Sequence, residues 1–205
     1  DMFIGASDTT STTLEWTMAE LMRHPNTMEK VQEEVRRVVG YKAEVDENDV
    51  KQMNYLKCVV KETLRLHPPA PLLLPRENTS VVKLRGYEIP AKTRLMLNAW
   101  AIQRDPEFWD RPDEFLPDRF ENSDVDFKGQ DLEFIPFGAG RRGCPGITLG
   151  VTVAEYALAN LLYWFDWKLP KTDATVVQGV DMSERYGITV NKKVPLLLEP
   201  IPYSL

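Results

Sequence analysis

The stretch Phe137-Gly138-Ala139-Gly140-Arg141-Arg142-Gly143-Cys144-Pro145-Gly146 stands directly before an apolar run that reads as a helix over residues 147–164. Glycines at 138, 140, 143 and 146 let the backbone turn tightly and approach a flat ligand without clashing Cβ atoms. A helix N-terminus and two arginines beside a thiol lower its pKa and favour the thiolate, the form in which sulfur binds a metal. Backbone N–H groups in such a loop can point at the sulfur and tune its donor strength. A cysteine alone beside a helix start is more often a small buried side chain. One set among four glycines and two arginines points to a sulfur that serves as a ligand.

Upstream of this loop, residues 105–146 are rich in proline, glycine and aspartate, with aromatics at Phe108, Trp109, Phe115, Phe120, Phe127, Phe134 and Phe137. A loop this long inside a compact domain is uncommon and is usually functional. Before it, Val81-Val82-Lys83-Leu84, a turn at Arg85-Gly86, Tyr87-Glu88-Ile89 and residues 93–97 read as one small antiparallel sheet. Three helices precede the sheet. Residues 1–23 carry Leu14, Met18, Leu21 and Met22 at helical spacing and stop at His24-Pro25. A second helix, with Met28, Val31, Val35 and Val38 inward, runs to about Val39 and ends at Gly40. A third, over about residues 54–66, is apolar at Leu56, Val59, Val60 and Leu64 and ends at His67-Pro68-Pro69. Helix 147–164 carries small residues at Gly150, Ala154 and Ala157, and residues 188–198 read as a final strand pair. The expected fold class is mainly α with small β-sheets, residues 1–205 forming part of one domain.

With 205 residues, 43% hydrophobic and 27% charged, the chain is long enough for a sizeable core and ordinary for a globular protein. A formal net charge of -6 argues against broad nucleic-acid binding. Two cysteines, Cys58 and Cys144, lie far apart without CxxC spacing, which argues against a disulfide scaffold or structural zinc. Both histidines, His24 and His67, precede a proline, and neither is expected to bind a metal. No signal peptide is evident, and no apolar run approaches the roughly 20 residues that span a bilayer. The opening Asp1-Met2-Phe3-Ile4 reads as the middle of a helix. The chain is therefore expected to be the C-terminal part of a longer protein, with any membrane anchor in the missing N-terminal part.

The pattern F-x-x-G-x-R-x-C-x-G, filled by Phe137, Gly140, Arg142, Cys144 and Gly146, resembles the haem-binding loop of the cytochrome P-450 family at every fixed position. The resemblance implies a C-terminal part of the cytochrome P-450 fold that binds haem b (iron protoporphyrin IX). Cys144 would be the axial sulfur ligand, and Arg142 would pair with a propionate. Phe137 would pack beside the ligand loop, with Gly138 and Gly146 shaping it around the cofactor. The family pattern also has companions elsewhere. Glu62-Thr63-Leu64-Arg65 by itself suggests one more helical i,i+3 ion pair, worth about 0.2–0.5 kcal/mol. Together with Pro117-Asp118-Arg119-Phe120, it resembles the family's buried Glu-Arg-Arg cluster, in which Glu62, Arg65 and Arg119 would pin the loop that holds Cys144.

At the start of the chain, Gly5-Ala6-Ser7-Asp8-Thr9-Thr10 opens a run of hydroxyl residues reaching Thr13. Such residues compete for backbone hydrogen bonds and cap or loosen helices. One reading is a helix N-cap at Ser7 or Asp8. The other is the family's oxygen-activating helix, in which Asp8 and Thr9 match the acid–alcohol pair that relays protons. Ala6 departs from the glycine usual there and narrows the space beside it. Arg76, after Pro71-Leu72-Leu73-Leu74-Pro75, matches the family's second propionate-binding position; a solvated arginine at a strand start is the plainer reading. By resemblance, Phe3, Gly5, Ala6, Ala70, Leu72 and Ile188 line the substrate pocket, although ordinary core packing would explain each equally. Cys58 is expected to be a buried small residue on the third helix.

Met53-Asn54-Tyr55-Leu56-Lys57 and Asp126-Phe127-Lys128-Gly129-Gln130 are similar to plant microsomal members. That resemblance implies a monooxygenase placing one oxygen atom of dioxygen into a lipophilic small molecule such as a terpenoid, phenylpropanoid, alkaloid or oxime. Electrons would come from NADPH through a flavoprotein reductase, with cytochrome b5 as a further partner. The full-length protein would sit on the endoplasmic reticulum membrane with its catalytic domain facing the cytosol. Arg141 and Lys128 would present basic charge to an acidic reductase surface. Other readings are a peroxide-rearranging haem-thiolate protein, a non-catalytic haem carrier or sensor, and an incomplete chain inactive by itself. The first tends to lack an acid–alcohol pair, and the second needs Cys144 but not Thr9.

Overall fold

Proline and glycine set several of the helix boundaries in the computed structural model, which describes residues 2–171 and 179–204. Helices α1 (Met2–Arg23) and α2 (Pro25–Val39) are separated only by His24. A residue before proline is pushed out of the helical region, while Pro25 itself suits a first helical turn. Gly40 stops α2 at a φ of +64°, its N–H donating to Arg36 O. A short helix, α3 (Glu47–Gln52), follows and was not expected; Asp46 and Asp49 form a reciprocal capping box at its start. Helix α4 (Asn54–Leu66) has no capping side chain of its own. The Glu34 carboxylate of α2 supplies the cap instead, accepting from Tyr55 N and Leu56 N at 2.9 Å each.

The sheets differ in pairing from the expectation. Strands β2 (Val82–Leu84) and β3 (Tyr87–Ile89) form the expected hairpin, in which Arg85 and Gly86 both take positive φ. Strand β4 (Arg94–Leu95) does not extend that hairpin but pairs with β1 (Arg76–Glu77). The separation comes from Asn78, whose side chain bonds Pro90 O and Thr93 N and folds the chain between the two pairs. After the short helix α5 (Ala99–Ile102), residues 103–146 carry only two 3-10 turns, Pro117–Phe120 and Gly140–Arg142. Helix α6 (Ile147–Trp164) then runs straight into β5 (Phe165–Lys168). The strand pair expected within residues 188–198 is replaced by two others. Strand β6 (Glu184–Arg185) pairs with β7 (Asn191–Lys192), and β8 (Glu199–Pro202) pairs with β5. Leu196 N bonds the Glu15 carboxylate of α1 rather than a neighbouring strand.

One core is shared by α1, α2, α4 and α6, with Leu21, Val31, Val35, Leu56, Val59 and Leu158 buried. Cys58 is buried there as expected, and burial pushes its thiol up to about 11. Apart from the exposed Phe108, the aromatics of the long loop join this core: Trp109, Phe120 and Phe134 pack with centroids 5.2–6.1 Å apart. Among the described residues no helix is long and apolar enough to cross a membrane.

Candidate functional site

Cys144 lies at the end of a loop closed by backbone hydrogen bonds. Its N–H donates to Phe137 O at 2.9 Å, Gly138 N to Ile135 O at 2.9 Å, and Gly143 N to Gly140 O at 3.0 Å. Gly138 and Gly140 have φ of +72° and +69°, values that side-chain-bearing residues adopt only at a cost. The Cys144 thiol is exposed. Gly146, the N-cap of α6, points its N–H at Cys144 Sγ from 3.4 Å. A Cβ on Gly146 would stand 3.8 Å from that sulfur, and one on Gly138 would stand 3.7 Å from Leu73 Cδ1 and 3.9 Å from Arg76 Nη2. Residues 73–76 and the ligand loop are therefore neighbours.

Behind the loop, Glu62, Arg65 and Arg119 meet. Arg65 grips the Glu62 carboxylate with Nε and Nη2, and Arg119 Nε reaches Glu62 Oε1 at 3.0 Å. Glu62 and Arg65 are both 0% exposed, so the plain reading of a solvated helical pair fails on burial. The remaining guanidinium N–H groups hold the long loop by its carbonyls. Arg65 donates to Gln103 O, Pro112 O and Glu114 O, and Arg119 donates to Asp110 O and Arg111 O. Leu116 N donates to Glu62 Oε1 at 2.8 Å. A third clip, unnoticed in the sequence, is Gln103, which is fully buried. Its amide donates to Leu64 O and Arg65 O and accepts from Ile135 N, tying the end of α4 to the approach to the ligand loop. Both cluster arginines lie over the Trp109 ring. From there edge-on contacts run through Phe134 and Phe127 to Phe137, whose carbonyl receives the Cys144 N–H.

The hydroxyl run of α1 is inside a continuous helix, so neither Ser7 nor Asp8 is an N-cap. The helix is not opened either. Thr9, Thr13 and Thr17 each donate to the carbonyl four residues back, at 2.6, 2.9 and 2.7 Å. Asp8 is exposed and Thr9 half-buried. The first turn of α6 faces this part of α1, where a Cβ on Gly150 would stand 4.0 Å from Thr10 Oγ1. Helix α1 thus runs close to the turn that follows Cys144.

The remaining expected residues are spread along three segments. Phe3, Gly5 and Ala6 lie exposed at the start of α1, Ala70 and Leu72 beyond α4, and Ile188 at the turn before β7, 83% exposed. Val190 N donates to Pro69 O, which joins the last two segments. Phe3, Leu72 and Ile188 are exposed and take no part in the core of this chain. Lys128 lies on a turn packed against the ligand loop, but its ammonium is paired with Asp126 at 2.8 Å, which holds its pKa up and offsets its charge. Arg141 is exposed and makes no ion pair among the described residues.

These residues fit a haem. Among the described residues no three His, Cys, Asp or Glu side chains gather to hold a metal ion. A lone exposed sulfur would suit a metal that arrives with its remaining ligands, as in a porphyrin. The glycine cradle leaves the sulfur approachable by a flat group. Arg76, Arg141 and Arg142 make no side-chain hydrogen bond or ion pair among the described residues, leaving donors free for carboxylates. Elsewhere, a cleft of ≈ 660 Å³ between α2 and β5, lined by Gln32, Arg36, Asp166 and Tyr203, includes none of these residues.

Known proteins match this chain over nearly all of its length. The family model described as Cytochrome P450 matches residues 1–190. Phenylacetaldehyde oxime monooxygenase of Prunus mume is 61% identical over 204 residues, 100% of this chain and 39% of that protein. Cytochrome P450 71A1 of Persea americana is 64% identical over 198 residues, 97% of this chain and 39% of that protein. The chain thus spans well under half the length of these relatives. Among solved structures, a zebra fish cytochrome P450 with abiraterone superposes with a TM-score of 0.85 at 32% identity, covering 98% of this chain and 47% of that one.

Proposed function

The chain belongs to the cytochrome P450 family, and from that premise we propose that it is the haem-holding part of a monooxygenase acting on a lipophilic small molecule. The observation that carries this reading is the exposed Cys144 thiol with the Gly146 N–H aimed at it. Haem bound through that sulfur supplies the activation of dioxygen. The chain's own residues do the rest. Gly146 N–H points at the sulfur and steadies it as a ligand. Arg142 and Arg76 take the two propionates, while Phe137, Gly138 and Gly146 leave room for the ring. Glu62, Arg65 and Arg119 keep the loop in place. Asp8, exposed on α1, collects protons from solvent, and Thr9 Oγ1, half-buried next to it, passes them inward.

Phe3, Gly5, Ala6, Ala70, Leu72 and Ile188 form one side of the substrate pocket in the full-length protein. An arylacetaldehyde oxime is the first substrate to try, because the Prunus relative is named for phenylacetaldehyde oxime. Electrons come from NADPH through a flavoprotein reductase, with cytochrome b5 as a second donor and Arg141 on the docking face. The full-length protein sits on the endoplasmic reticulum membrane, its catalytic domain in the cytosol.

The carbon monoxide difference spectrum of the reduced protein tests this reading. The full-length protein gives a strongly red-shifted Soret band, and Cys144→Ser abolishes it. Haem loading without that band would remove Cys144 as the ligand and the proposal with it. The same spectrum on residues 1–205 alone decides a second reading, favoured by the share of its relatives that the chain spans: that this piece is inactive by itself.

A further inference from the structure

Neither histidine has a part in the chemistry above, yet one of them sits where three pocket segments meet. His67, the C-cap of α4, lies flat on Trp16 of α1, with ring centroids 4.3 Å apart and planes 2° from parallel. Its Nε2 donates to Glu20 Oε1 at 2.7 Å. Glu20 is buried on α1, one turn beyond Trp16. Burial pushes the Glu20 carboxyl up, but the hydrogen bond and charge of His67, aided by Arg23 and His24, outweigh it and hold it below the usual carboxylate range. Trp16 Nε1 donates in turn to Val190 O at 3.0 Å, and Val190 N to Pro69 O at 2.9 Å. His67, Trp16, Val190 and Pro69 thus close a ring of contacts through α1, the chain beyond α4 and the turn before β7.

Resting on the monooxygenase reading, we infer that His67 is a positioning residue that sets how far the wall at residues 70–74 stands from α1, and thereby the width of the substrate pocket. Pro68 and Pro69 link His67 to Ala70, and both are buried with φ fixed by their rings. A displacement of His67 therefore passes to the wall instead of dying out in a flexible joint. The wall itself is stiff. Leu73 N donates to Ala70 O, Leu73 holds a φ of +51°, and Pro71 O accepts from Trp100 N. On the helix side, Trp16 lies seven residues from Thr9, two turns along the same face and about 10 Å away. Although Leu73 and Arg76 border the Cys144 loop, that loop has holds of its own in Gln103 and the Glu62 cluster. Loss of the clamp should then move the pocket wall while leaving the iron site in place.

The test uses the full-length holoprotein and two azoles whose nitrogen shifts the Soret band on binding iron. Imidazole reports the iron site alone, and 4-phenylimidazole adds a lipophilic body that must fit the pocket. His67→Ala and the milder His67→Phe, which keeps a ring on Trp16, should retain the red-shifted carbon monoxide band. Imidazole should bind within about twofold of wild type, while half-saturation by 4-phenylimidazole rises about tenfold for Ala and severalfold for Phe. Glu20→Gln, which preserves a hydrogen bond to His67, should stay within about twofold for both ligands. Unchanged discrimination between the azoles in both His67 variants overturns the inference, whatever happens to Tm. Loss of haem from both variants also overturns it, by assigning the cluster to folding alone. If the wild-type protein shows no carbon monoxide band and no azole shift, the monooxygenase reading has failed instead.

Discussion

Arg65 holds Glu62 through two N–H donors at 2.7 and 2.8 Å, and neither side chain is exposed to water. Because Arg119 and Leu116 N share the same carboxylate, Glu62 is, among the described residues, the one anion compensating two guanidinium groups. Removing it leaves buried cations without a counter-charge, at a cost of about 3–5 kcal/mol. Glu62→Ala in the full-length protein should therefore give haem-free protein with a urea midpoint well below wild type. Glu62→Gln, which keeps an acceptor, should fall between the two. Haem loading equal to wild type in Glu62→Ala would contradict the assignment of this cluster to the ligand loop.

Gln103 should matter as much for stability as its neutral amide allows. Gln103→Leu conserves volume but orphans Ile135 N and two α4 carbonyls in the interior. Each buried group left unpaired costs on the order of 1–3 kcal/mol, so denaturant unfolding should register a loss of at least about 2 kcal/mol. A loss under about 0.5 kcal/mol would mean that water replaces the amide.

Two glycines with similar φ should respond unequally to alanine. At Gly140, φ is +69° and nothing stands within 4 Å of a new Cβ, so Gly140→Ala should cost only the backbone penalty of about 1–2 kcal/mol. At Gly129, φ is +81° and the new Cβ would meet Ala139 Cα and Gly138 O at 3.1 Å. Gly129→Ala should therefore be the more destabilising by thermal melting and should also loosen haem. The reverse order would refute the close approach of the two loops.

Acid should reveal the Glu20 contribution. A carboxyl held below its ordinary pKa in the folded state stabilises the protein at neutral pH. That contribution fades as pH falls from the usual carboxylate range, about 4, to the lower folded value. Glu20→Gln should therefore lower Tm at pH 7, with the gap to wild type closing on acidification. A gap that is constant with pH would show that charge on Glu20 adds nothing.

Helix boundaries and the ligand loop were legible because proline, glycine and apolar spacing act locally. His24-Pro25, Gly40 and His67-Pro68 end helices wherever the rest of the chain lies. The motif residues were legible through likeness to a family, and the structure adds why they need burial. Strand partners were not legible: β4 and β8 pair with strands distant in sequence, and strands of two to four residues carry too little pattern to reveal a partner. Helix α3 was missed because its capping box uses Asp49 where a longer acid is usual. Gln103 and His67 gave no local sign at all, since a single polar side chain acquires its role only from the elements that close around it.

The threonine staircase on α1 fixes the direction in which Thr9 can deal with protons. A hydroxyl owns one hydrogen and two lone pairs. In Thr9 that hydrogen is committed to Gly5 O at 2.6 Å. Toward the open side of the helix, Thr9 Oγ1 therefore presents electron pairs only. As it stands it accepts a hydrogen bond, but it can donate one outward only after the rotor swings away from Gly5 O. Thr9 is in this sense a one-way latch, and the carbonyl of Gly5 is its spring.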